Sequence, residues 1–84
     1  MIEKSIEVNS FFEPQRAALL VQKASQFKSR ISIVADEKTA NAKSIMGIIS
    51  LNLRGGNVIK LVADGEDARQ AVPALEEILG QEAV

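Results

Sequence analysis

The chain has 84 residues, with 10 Lys and Arg against 11 Asp and Glu, a formal net charge of −1, and neither cysteine nor histidine. That length holds one small domain, residues 1–84, around a single core, and the missing cysteines exclude disulfides, thiol redox chemistry and thiolate metal sites. A metal site would need oxygen ligands alone, no acidic cluster has the spacing of a calcium loop, and the near-balanced charge lacks the basic footprint of a nucleic-acid binder.

The charge is nevertheless uneven. Residues 1 to 63 carry nine bases and five acids, residues 64 to 84 one base and six acids. A protein partner with a charged face could orient on that asymmetry; a solvated acidic last helix is the plainer reading. No apolar run approaches the roughly 20 residues of a membrane span, and Met1-Ile2-Glu3-Lys4 lacks a signal-peptide pattern. A soluble cytoplasmic protein is expected, with no metal, no cofactor, no nucleic-acid partner and no membrane contact.

In chain order, Ile2, Ile6 and Val8 alternate with Glu3, Ser5 and Glu7, which suits a strand with one wet face. Lys4 interrupts the apolar side, so this strand is expected at an edge or frayed at its start. From Pro14 the period becomes helical through Ala17, Leu20, Val21, Ala24 and Phe27, and proline fits a first-turn position where its missing N–H costs nothing. Ile31, Ile33 and Ala35 then alternate with Arg30, Ser32 and Val34, and Lys38 to Ala42 follows after Asp36-Glu37. This predicts a hairpin, with a weaker turn than Asn-Gly because neither residue favours positive φ as glycine does.

A short apolar run, residues 45 to 51, reads as a helix. After it, Arg54-Gly55-Gly56 breaks the chain and Asn57 to Ala63 resumes a Val/Ile/Leu-rich strand. Asp64 to Asp67 turns into a last helix with the stripe Ala68, Ala71, Val72, Leu75, Ile78 and Leu79. Pro73 lies inside that stripe and predicts a kink or a late helix start. The order βαββαβα implies an α+β fold, a four-stranded antiparallel sheet with three helices on one face in an open-faced two-layer sandwich.

Ser44 directly precedes the short helix, so its hydroxyl can accept a first-turn N–H as an N-cap. A phosphate on the same oxygen would meet the positive end of the helix, with Lys43 beside it. At 100° per residue Ile48 and Leu51 share one side while Ile45, Met46 and Ile49 spread around another. Either some of this set is exposed, an apolar docking patch beside a switchable anion, or the helix is buried all round.

The run Asn41-Ala42-Lys43-Ser44-Ile45-Met46-Gly47 resembles the regulatory-serine segment of the HPr family, the small phosphocarriers of the bacterial sugar phosphotransferase system. Val21-Gln22-Lys23-Ala24 and Gly65-Glu66-Asp67 agree, and the likeness spans essentially the whole chain. The resemblance implies phosphorylation of Ser44 by HPr kinase/phosphorylase and corepressor binding to catabolite control protein A. It implies Ile45, Met46 and Ile49 as the apolar contact, flanked by Lys43 and Arg16.

The family opens its first helix with Gly-(Leu or Ile)-His-(Ala or Thr)-Arg-Pro-Ala. Here that segment reads Phe11-Phe12-Glu13-Pro14-Gln15-Arg16-Ala17, with Glu13 where the phosphorylated imidazole would be. A carboxylate is negatively charged and repels a phosphoryl donor, whereas the carrier chemistry needs a neutral nitrogen nucleophile. Glu13, Gln15 and Arg16 therefore form a degenerate phosphocarrier site with no catalytic residue. The histidine-less, Crh-type branch of the family is similar in keeping the serine.

The Gln15-Arg16 pair departs from the family's order, and Arg16 would have to bend back to replace the family arginine. Two rival readings are a phosphorylation-independent module that binds and regulates a metabolic enzyme, or another protein, through Glu13, Phe11 and Phe12, and a residual acyl-phosphate step on Glu13. The first strand suggests a monomer or a strand-swapped homodimer.

Overall fold

Alternation of apolar and polar residues builds three of the strands in the computed structural model, which describes residues 1–9 and 14–83. In β1 (Ile2–Val8) Ile6 and Val8 are buried while Glu3, Ser5 and Glu7 are exposed. In β2 (Arg30–Ala35) Ile31 and Ile33 point inward, and in β4 (Val58–Asp64) Ile59, Leu61 and Ala63 do so. The register sets these side chains opposite one another, Ile6 on Ile59 and Ile33 on Leu61, so one face of the sheet is apolar.

Helices cover that face. α1 (Pro14–Ala24) buries Ala17, Leu20 and Ala24, with Val21 and Phe27 half-buried against the core. α3 (Ala68–Leu79) buries Ala68, Ala71, Val72, Leu75 and Leu79, the stripe read from the sequence, with Ile78 half-buried. Between them α2 (Ile45–Ser50) adds Ile48. β3 (Lys38–Asn41) pairs with β2 through a two-residue turn in which Asp36 takes φ 56°. The turn closes because aspartate tolerates the left-handed region better than most residues.

Two expectations need correction, and one of the two alternatives for Pro73 is removed. The sheet has five antiparallel strands, in the order β3-β2-β4-β1-β5, and not four. The addition, β5 (Gly80–Glu82), pairs Gly80, Gln81 and Glu82 with Val8, Glu7 and Ile6. Three residues without an apolar alternation leave no strand signal. β1 consequently lies between β4 and β5 over residues 6 to 8 and is not the edge there.

Lys4 keeps its place on the inner side because its ammonium reaches Glu76 of α3 at 2.6 Å, with Glu82 at 3.9 Å. The Glu76 bond raises the lysine pKa above its ordinary value, against a smaller opposing effect of desolvation.

Pro73, finally, does not delay the helix, which is continuous from Ala68 to Leu79. Its ring faces solvent, as does Arg69 four residues before it, so water can serve the carbonyl that the ring leaves without a donor.

Asp67 ties the start of α3 to the turn between α1 and β2. Although it directly precedes α3, its carboxylate does not cap that helix. It accepts instead from the Lys28 N–H at 2.7 Å, the Ser29 N–H at 2.9 Å and the Ser29 hydroxyl, closing the turn between α1 and β2. Ser29 is a buried polar residue, and this contact satisfies it. The Ser29 hydroxyl first, then the Lys28 amide, hold the Asp67 carboxyl below the usual aspartate range.

Two predictions follow from these contacts. A methyl group at Gly80 would overlap the Glu7 carbonyl oxygen, where α3 hands over to β5. Gly80→Ala should therefore lower stability by roughly 1–3 kcal/mol in denaturant unfolding, the usual cost of overpacking. Asp67 has a depressed folded-state pKa, so its contribution is whole above the unfolded value of about 4 and is lost as pH falls through the folded one. Asp67→Ala should be less stable than the parent at neutral pH, with the gap closing in strong acid; a gap independent of pH would assign the loss to something other than the carboxylate.

Candidate functional site

The residues around Ser44 form a short helix whose two sides differ. Ser44 is extended, with φ −111° and ψ 113°, and its Oγ accepts the Gly47 N–H at 3.1 Å. It is thus the N-cap, as the spacing suggests. At the other end Leu51 closes the helix and Asn52 turns the chain away with φ 52°.

Within these limits Ile48 is 1% exposed and Leu51 8%, whereas Met46 is 70%, Ile49 52% and Ile45 38% exposed. The side chains divide as the 100° spacing requires, and α2 is not buried all round. Gly47 sits against Ala40 and the Ser44 side chain, letting the helix lie close to β3.

The exposed crest continues onto α1. A groove of about 750 Å³ lies between the two helices, lined by Gln15, Ala18, Leu19, Val21, Gln22 and Ile45 among others. Leu19 is 53% exposed and was not singled out from the sequence. The available signal is that it stands off the buried Ala17, Leu20, Ala24 stripe, an apolar residue with no core to face.

Arg16 is not gathered with this crest. Its Nη1 donates to the Ile78 carbonyl at 3.1 Å, in the last turn of α3 where a cation is favoured. The side chain lines a separate groove between α1 and α3, with Lys23, Ala74, Glu77 and Ile78. Gln15 borders both grooves. Lys43, next to Ser44, is turned toward the end of α1, where its Nζ donates to the Phe27 carbonyl at 2.8 Å. Its N–H donates to Asn41 Oδ1 at 2.8 Å, so the segment entering α2 is fixed from both sides. Phe11, Phe12 and Glu13 lie outside the described residues.

What this arrangement can do chemically is limited. A hydroxyl, an ammonium and an apolar crest can bind a partner and accept a covalent modification, but no imidazole exists anywhere in the chain to carry a phosphoryl group. No helix of the described residues is long and apolar enough to cross a membrane.

Comparison with known proteins gives this geometry its context. The family model described as "PTS HPr component phosphorylation site" matches residues 12–81. The HPr-like protein Crh of Halalkalibacterium halodurans is 44% identical over 77 residues, 89% of this chain and 92% of that protein. Among solved structures, HPr-C-His from Thermoanaerobacter tengcongensis has a TM-score of 0.89 at 46% identity, covering 94% of this chain and 91% of that one. A Crh crystal structure from Bacillus subtilis, described as a swapped, intertwined dimer, has a TM-score of 0.74 at 37% identity, covering 87% and 82%. On these matches the chain belongs to the HPr family, where it is similar to the Crh proteins.

Proposed function

We propose that this chain is a non-catalytic regulator of carbon catabolite repression, phosphorylated on Ser44 by HPr kinase/phosphorylase. In that form it acts as corepressor for catabolite control protein A, and it carries no phosphate on histidine. The observation that carries the reading is a capped Ser44 beside an exposed apolar crest in an HPr-family chain devoid of histidine. Loss of the nucleophile removes the carrier step, whereas the elements needed for a protein-bound switch are present together.

In this reading Ile45, Met46 and Ile49 supply the apolar contact and Lys43 flanks it. Arg16, committed to the Ile78 carbonyl, would join a partner only from the neighbouring groove. The degenerate segment with Glu13, Gln15 and Arg16 has no phosphoryl-transfer role. The protein works in the cytoplasm as a single domain, as a monomer or as a strand-swapped homodimer like the Crh relative.

The test is intact mass after incubation with HPr kinase/phosphorylase and ATP. The chain should gain one phosphate and Ser44→Ala none. Loss of the cap costs about 1 kcal/mol, so circular dichroism should first establish that Ser44→Ala is folded. An unmodified parent chain, beside an authentic HPr modified in the same tube, would overturn the proposal.

A further inference from the structure

The peptide group joining Phe27 and Lys28 is held by a cation on one end and an anion on the other. Its carbonyl accepts from the Lys43 ammonium at 2.8 Å, and its N–H donates to the Asp67 carboxylate at 2.7 Å. The two partners polarise the amide in the same sense, each strengthening the other's bond. Lys43 is half-buried and adjoins Ser44; Asp67 immediately precedes α3. A single amide thus lies between the residue beside the proposed modification site and the start of the last helix. Nothing in the corepressor reading uses this contact.

A phosphate on Ser44 would bring a charge of about −1.5 to −2 within reach of the neighbouring ammonium. Against it stands a neutral carbonyl, the weaker partner for a cation. Resting on the assignment of Ser44 as the modified residue, we infer that Lys43 is a two-position residue. It staples the start of α2 to the end of α1 in the unmodified protein and transfers to the phosphate on modification, freeing the Phe27 carbonyl. The amide then loses its cation, and its N–H grips Asp67 less firmly. The α1–β2 turn and the Asp67 contact loosen together, so the modification is felt beyond the exposed crest of α2. Lys43 acts here as a positioning residue and takes no part in chemistry.

The experiment is amide hydrogen exchange followed by NMR on the full chain. It compares the unmodified protein, Lys43→Met, Lys43→Arg, and a protein with phosphoserine built in at position 44 by semisynthesis. No kinase is involved, so this result and the kinase assay succeed or fail separately. Exchange at the Lys28 and Ser29 amides should be about tenfold faster in Lys43→Met and in the phosphoserine form, the effect of losing one charge-assisted bond. Lys43→Arg, which keeps a cationic donor, should stay near the unmodified parent. Unchanged protection in the phosphoserine form overturns the transfer, even if Lys43→Met is faster, because Lys43 is then a fixed staple. Unchanged protection in Lys43→Met overturns the staple itself. If Lys43→Met does not fold, the phosphoserine and arginine forms still decide the matter.

Discussion

A helix of six residues does not persist in water by its own hydrogen bonds. α2 exists because Ile48 and Leu51 are buried beneath it, because Ser44 takes the Gly47 N–H, and because Lys43 and Asn41 fix the approaching chain. The candidate function depends on this constraint. Two buried residues on one side leave three apolar residues on the others, and the cap that starts the helix is also the hydroxyl proposed for modification. Stability and exposure come from the same few residues, so the apolar crest does not require the core to be compromised.

Much of the fold was legible because its elements carry strong periodic signals. The stripes Ala17, Leu20, Ala24 and Ala68, Ala71, Val72, Leu75, Leu79 fit only helices, and the alternations in β1, β2 and β4 fit only strands. The split of α2 into two sides was readable from the 100° spacing, whereas the exposure of one of them needed the packing of the fold to decide it. The features missed are those that depend on distant partners. β5 has three residues and forms because Gly80 permits backbone contact with Glu7. Lys4 reads as an interruption until Glu76, 72 residues away, is brought beside it. Arg16 on Ile78 and Lys43 on Phe27 are side-chain-to-carbonyl bonds, and a carbonyl leaves no trace in a sequence. For the site, Ser44 and its apolar neighbours were readable, whereas the contribution of Leu19 was not, since one off-stripe leucine is ordinary on a surface.

The molecule joins the Ser44 segment, for which a regulatory role is proposed, to a first-helix segment in a chain that holds no histidine. Charge divides the chain elsewhere, since both segments precede residue 64. Nine of the ten bases lie before residue 64, whereas residues 64 to 84 carry six acids and one base, and the Lys4–Glu76 and Lys28–Glu66 pairs bring the two portions together, as does the bond from the Lys28 N–H to the Asp67 carboxylate. The exposed pair between Lys28 and Glu66 contributes little. The larger share rests on Asp67, which satisfies the buried Ser29 and two backbone N–H groups at once.

The central claim is that the α2 crest recognises a regulator only when Ser44 carries a phosphate. The most direct test is calorimetric titration of the chain into catabolite control protein A, phosphorylated and unphosphorylated, with Met46→Ala alongside. The account predicts binding by the phosphorylated form alone, weakened in Met46→Ala. Equal binding by both forms, or binding indifferent to Met46, would contradict it.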